Sequence, residues 1–140
     1  MDFTSIGDTV NLAARLEGAN KAYGSKSIIT EAVYTKVQEH FLCRELDFIA
    51  VKGKTEPVRI YEILQAIPQA HPKLVKIKET FETGLKAYRK RSWKTAASAF
   101  ERNIKEFNDN PSKVYLERIE HFSKNPPPDD WDGVFRMTVK

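Results

Sequence analysis

The sequence predicts an incomplete α/β segment, of the α+β kind, followed by an α-helical hairpin tail. Three observations carry that expectation. Residues 46–51 and 58–64 are rich in β-formers and flank a turn punctuated by Gly53 and Pro57. Apolar residues beyond position 80 recur instead at helical spacing. Between the two patterns, Pro68 and Pro72 interrupt the chain. The 140 residues therefore divide into a first unit at 1–64, a linker at 65–72 and a helical tail at 73–140.

Element by element, Asp8 is placed to cap a helix over residues 11–17, and Gly18 with Asn20 supplies its stop. A metal-ligand role for Asp8 is the weaker reading, because a carboxylate at a helix start already has a capping use. Residues 27–30 predict a short buried strand, and residues 31–41 a helix with Val33, Val37 and Phe41 along one face. The runs at 46–51 and 58–64 then pair antiparallel. In the tail, Phe81, Leu85 and Tyr88 stand at i, i+4 and i+7. After a break near Arg91 and Ser92, Trp93, Ala96, Ala97, Phe100, Ile104 and Phe107 resume the helical period. This is a helix hairpin in which small Ala96 and Ala97 permit close approach, similar to one tetratricopeptide-type unit. Two helices cannot bury so many aromatics alone, so the hairpin is expected to dock on the first unit. A third helix spans 112–122. The prolines at 126–128 make the last stretch extended, carrying Trp131 and Phe135 back as anchors toward the hairpin or the strand around residues 58–63.

Hydrophobic residues make up 41% of the chain and charged residues 30%, the range of an ordinary folded soluble protein. No apolar run approaches the roughly 20 residues that cross a bilayer, and the first residues have neither the basic region nor the apolar core of an export signal. A cytoplasmic location is the resulting expectation, with a membrane-anchored parent as the alternative. With Cys43 as the single cysteine, no internal disulfide is available, and no Cys/His group has zinc-ligand spacing; Cys43 is expected to pack as a small hydrophobe. The net charge of +4 belongs to the tail, since residues 1–64 carry 8 Lys/Arg against 9 Asp/Glu and residues 65–140 carry 15 against 10. Its densest part is Lys86, Arg89, Lys90, Arg91 and Lys94. Interspersed acidic residues favour a solvated helix face over a surface for nucleic acid or anionic lipid, so no nucleic-acid partner is expected.

Asn11 and Arg15 lie four residues apart on the first helix and project from one face. On periodicity alone, a solvated face is the commoner use of such a pair. A guanidinium beside an amide also suits a phosphoryl centre, where Arg neutralises developing charge and Asn positions a neighbouring oxygen. The run at residues 3–17, Phe3-Thr4-Ser5-Ile6-Gly7-Asp8-Thr9-Val10-Asn11-Leu12-Ala13-Ala14-Arg15-Leu16-Glu17, resembles the signature of class III adenylate and guanylate cyclases. The resemblance continues through Ile28 and Thr30, Arg44-Glu45-Leu46-Asp47, Val51-Lys52-Gly53-Lys54 and Tyr61-Glu62, covering residues 1–64 almost continuously. It implies the C-terminal part of a catalytic domain, an incomplete ferredoxin-like cyclase half as in bacterial adenylate cyclases.

What the resemblance implies is specific. Asn11 and Arg15 take the family's transition-state-stabilising positions, Lys52 its polyphosphate-binding lysine and Thr4 its base-reading position. The reaction is attack of the ribose 3′ hydroxyl on the α-phosphate, giving a cyclic nucleotide and pyrophosphate. Two divalent metal ions, Mg or Mn, serve the complete domain, on two aspartates of an earlier strand and hairpin that this chain does not contain. The second base-reading residue is likewise absent, and Asp2 cannot replace it. The chain is accordingly expected to be a fragment, inactive alone, from a parent that is a homodimer. Thr4 favours ATP over GTP by the resemblance, although a hydroxyl both donates and accepts. Without the resemblance, Lys52 and Lys54 would read as a solubilising turn. A rival class is a non-catalytic remnant whose tail, through Trp93, Phe100, Phe107 and the basic cluster, binds a protein partner.

Overall fold

The structure, a computed structural model, describes residues 20–25, 27–51 and 56–137. In chain order these form β1 (Ile28–Thr30), α1 (Glu31–Val37), β2 (Phe41–Val51), β3 (Val58–Ala66), α2 (Pro72–Arg89), α3 (Trp93–Phe107), α4 (Asn110–Lys124) and β4 (Phe135–Met137), with a 3₁₀ turn at Ile67–Gln69. The strands make one mixed sheet in the order β1-β3-β2-β4. β3 pairs antiparallel with both β1 and β2, while β4 runs parallel to β2. The result is an α+β fold with three consecutive helices after the hairpin of strands, as the two hydrophobic periods predict.

Two expectations near the start are corrected. Residues 20–23 are helical, and the turn comes at Gly24, whose φ of +65° costs a glycine little. The Ser25 N–H then donates to the Asn20 carbonyl at 3.0 Å, so Asn20 is helical and not a stop, and these helical residues end at Gly24; Gly18 lies outside the described residues. α1 is also shorter than expected. The Thr30 hydroxyl accepts from the Val33 N–H to start it, but Phe41 opens β2. Val33 is 43% and Phe41 36% exposed, so the expected apolar face is not buried. The reason is that α1 meets the sheet through Tyr34, whose ring stacks on Tyr61 with centroids 3.8 Å apart and planes 2° from parallel.

β2 and β3 pair from Phe41 opposite Ala66 to Ile49 opposite Val58, several residues beyond the predicted runs. A register shift between Glu45 and Asp47 leaves Leu46 as an extra residue. Such a bulge bends the strand and breaks strict alternation. It explains why Arg44, Leu46, Asp47 and Ile49 are all buried although they do not alternate. Leu46, Ile49 and Ile60 share one core cluster with Phe81, Leu85, Tyr88, Ala96, Phe100, Tyr115 and Ile119. The helical tail therefore docks on the sheet, and its core is continuous across residues 64–72.

The open edge of β2 is covered by α2. There the Glu45 N–H donates to the Glu82 carboxylate at 3.1 Å, and Lys78 holds Glu82 at 2.8 Å. At its far end β2 is joined by β4, with Ile49, Ala50 and Val51 opposite Phe135, Arg136 and Met137. The return of the C-terminus thus reaches β2 and not the strand around residues 58–63, because β3 is already flanked by β1 and β2. Trp131 anchors as expected, within 5.8 Å centroid distance of Tyr88, Trp93 and Phe122. Of the basic cluster, Lys86, Lys90 and Lys94 are exposed, but Arg89 pairs with Glu45 and Arg91 donates to the Pro127 and Pro128 carbonyls. Those two arginines hold structure instead of facing solvent freely.

α2 and α3 approach closely at Gly84. A Cβ there would lie 2.8 Å from two atoms of the fully buried Phe100 ring. In an exposed helix Gly→Ala gains about 1 kcal/mol from propensity. Here overpacking costs about 1–3 kcal/mol. Gly84→Ala is therefore expected to lower stability, and urea unfolding that shows a gain would refute this packing.

Candidate functional site

Thr4, Asn11 and Arg15, with Asp8, fall in residues 1–19, and Lys52 falls in residues 52–55; all lie outside the described residues. What is described is the framework that flanks them in the chain. Residues 20–23 follow Arg15, and Val51, the last residue of β2, directly precedes Lys52.

Both flanks meet at a buried polar cluster. The Tyr23 hydroxyl donates to Asp47 Oδ2, which also accepts from Arg118 Nη1 at 2.8 Å. Arg118 Nη2 donates to the Tyr23 oxygen at 3.1 Å, and Asp47 Oδ1 accepts from the Phe48 N–H at 2.7 Å. The Arg118 guanidinium lies 3.9 Å from the Phe135 ring centroid and 4.8 Å from that of Tyr115. The Tyr115 hydroxyl in turn donates to the Leu46 carbonyl at 2.8 Å, at the bulge. Three separate segments, the helix at residues 20–23, β2 and α4, are thereby tied at one point.

A second buried cluster sits beside it. Arg44 Nε donates to Glu62 at 2.9 Å, and its two terminal nitrogens bind the two oxygens of Asp109 at 2.9 and 2.8 Å. Asp109 also caps α4, accepting from the Ser112 N–H and hydroxyl. Burial works against the Arg44 charge, but Asp109 and Glu62 together hold it more firmly protonated than usual. The same balance, with Asp47 as the main partner, holds for Arg118.

These carboxylates are fully engaged. Asp47, Glu62 and Asp109 each face an arginine, and among the described residues no three His, Cys, Asp or Glu converge where a metal ion could bind. Cys43 is buried and packs as expected of a small hydrophobe; burial pushes its thiol pKa up, against nucleophilic use. No helix among the described residues is long and apolar enough to cross a membrane. A cleft of about 300 Å³ opens beside Arg118, lined also by Tyr88, His121, Trp131, Phe135 and Arg136. The described residues thus make a framework, not a reaction centre.

Burial, and next the Asp47 carboxylate, push the phenols of Tyr23 and Tyr115 well above their ordinary pKa. Below about pH 10 both are neutral in folded and unfolded chains alike. Above it only the unfolded chain loses these protons, so stability falls with rising pH, by about 1.4 kcal/mol per pH unit for each tyrosine. Alkaline unfolding beginning near pH 10 is expected, with Tyr23→Phe flattening the slope. An unchanged slope in that variant would contradict the assignment.

Sequence reasoning missed the pairing of Tyr23, Asp47 and Arg118. Asp47 stood only within a motif, and its partner arrives 71 residues later.

No family model and no solved structure matches the chain. Similarity to known proteins is nonetheless clear. The chain is 36% identical over 124 residues to "Adenylate cyclase, terminal-differentiation specific" of Dictyostelium discoideum, covering 84% of this chain and 6% of that protein. It is 46% identical over 66 residues to "Adenylate cyclase" of Anabaena cylindrica, covering 45% of this chain and 13% of that protein. It is 36% identical over 67 residues to "Adenylate cyclase 1" of Rhizobium meliloti, covering 48% of this chain and 10% of that protein. The chain therefore spans a small part of each relative and is an adenylate-cyclase-related region. A match over 84% of the chain exceeds either the first 64 or the last 76 residues, so it takes in both sheet and helical tail.

Proposed function

We propose that residues 1–64 are the C-terminal part of the catalytic domain of a class III adenylate cyclase, followed by a linker and the helical tail, and that the chain, inactive alone, belongs to a homodimeric parent that converts ATP to cyclic AMP and pyrophosphate in intracellular signalling. The observation that carries this reading is the coincidence of an ordered signature, from Thr4 to Glu62, with similarity to three proteins named adenylate cyclase. Arg15 answers charge that builds on the α-phosphate oxygens as the ring closes, and Asn11 orients the ribose beside it. Lys52 neutralises the departing pyrophosphate. Thr4 reads the base through its hydroxyl. Divalent metal ions generally serve adenylate cyclases, but the described carboxylates do not fit them, being already held by arginines, and no step here is assigned to a metal.

The rival reading, a passive scaffold with a partner-binding tail, loses support from the packing. Phe100 is fully buried, Trp93 stacks on Phe122, and Arg89 and Arg91 are engaged internally.

In the full-length protein that carries this chain, Arg15→Ala is expected to lower kcat about 100-fold while leaving KM for ATP nearly unchanged, because the guanidinium acts on charge present mainly in the transition state. Cyclic nucleotide formation from ATP and GTP in parallel tests both role and substrate. A rise in KM alone, or preference for GTP, would overturn the corresponding assignment.

A further inference from the structure

We infer that Arg118, on the helical tail, is a positioning residue for the cyclase site, holding the helical residues 20–23, which follow Asn11 and Arg15, in register with the strand that ends at Val51, directly before Lys52. The inference rests on the proposed reaction for its functional meaning. Its structural basis is independent.

Arg118 bonds Tyr23 at 3.1 Å and Asp47 at 2.8 Å, and these two also bond each other. Tyr23 closes the helical residues 20–23, eight positions after Arg15; Asp47 lies on β2, five positions before Lys52. The same guanidinium covers Phe135, the first residue of β4, which pairs alongside residues 49–51 up to the position preceding Lys52. One side chain therefore contacts every described segment that leads into the two proposed phosphate-binding positions. The tail needs no contact with substrate to matter. Misplacing a catalytic group by about 1 Å can cost 100-fold in rate.

The test uses the full-length protein, at a temperature where circular dichroism shows every variant folded. Arg118→Gln is expected to lower kcat at least tenfold with KM for ATP little changed, and Arg118→Lys, which keeps a cation opposite Asp47, to recover part of the loss. Gly84→Ala, which strains the contact of α2 with the Phe100 ring of α3 and removes no bond of Tyr23, Asp47 or Arg118, is expected to leave kcat unchanged. Hydrogen exchange supplies a readout free of activity: amides at 20–23 and 49–51 should exchange faster in Arg118→Gln and not in Gly84→Ala. Unaltered exchange at both segments overturns the inference, as does an equal fall of kcat in Gly84→Ala. If the wild-type protein forms no cyclic nucleotide, the reaction reading fails, while the exchange result still decides whether Arg118 couples the two segments.

Discussion

Replacing Arg44 with alanine is expected to lower stability by about 3–5 kcal/mol. The substitution leaves Glu62 and Asp109 without the cation that donates to both of them. Both carboxylates remain enclosed, and an uncompensated buried charge is far more costly than the intact pair is favourable. The Phe81 ring also loses the guanidinium 4.6 Å from its centroid. Against a usual total of 5–15 kcal/mol, the loss removes much of the margin. Urea or guanidinium unfolding measures it directly. Replacing Arg44, Glu62 and Asp109 together by apolar residues should cost much less than Arg44→Ala, since no charge is then stranded. A loss below about 1 kcal/mol for Arg44→Ala, the range of an exposed pair, would mean the cluster is solvated.

Deleting residues 126–140 is the second change of large effect. Trp131 packs, partly buried, among Tyr88, Trp93 and Phe122, and losing it costs a share of the roughly 3–5 kcal/mol that truncating a fully buried Trp does. The deletion also removes β4, buried Val134, and the carbonyls that receive Arg91. Tyr88 and Trp93 then lose the Trp131 ring packed against them, and only Tyr115 and Phe122 of α4 still cover the aromatic face of α2 and α3. Amide exchange in both helices should rise by orders of magnitude, and thermal unfolding should move down by well over 10 °C. Tail helices that keep slow exchange without residues 126–140 would refute the anchoring role.

The elements that could be read from sequence are those whose cause is local. Runs of β-formers on either side of Gly53 and Pro57 mark the β2 and β3 pair, and the spacing of Phe81, Leu85, Tyr88 and Phe100 marks helices that do bury those side chains. The rest depends on distant partners. The stripe of Val33, Val37 and Phe41 looked buried, yet Tyr34 and Tyr61 decide which way α1 faces. A bulge at Leu46 has no glycine or proline to announce it. Arg118 resembles any surface arginine of a helix until Tyr23, 95 residues earlier, is placed beside it. As for the proposed reaction centre, Thr4, Asn11, Arg15 and Lys52 were identified by motif and lie outside the described residues, so only their flanking framework could be compared.

The parallel pairing of β4 with β2 has a consequence for synthesis. β4 is made long after β2 and pairs with it beside residues 49–51. At ~5–20 residues per second, a ribosome needs several seconds after making that segment to deliver its partner. Through that interval the nascent chain carries an unpaired strand edge and, on α2, aromatic rings whose cover has not yet been made. Chaperone holding through that interval would therefore influence the yield of folded protein.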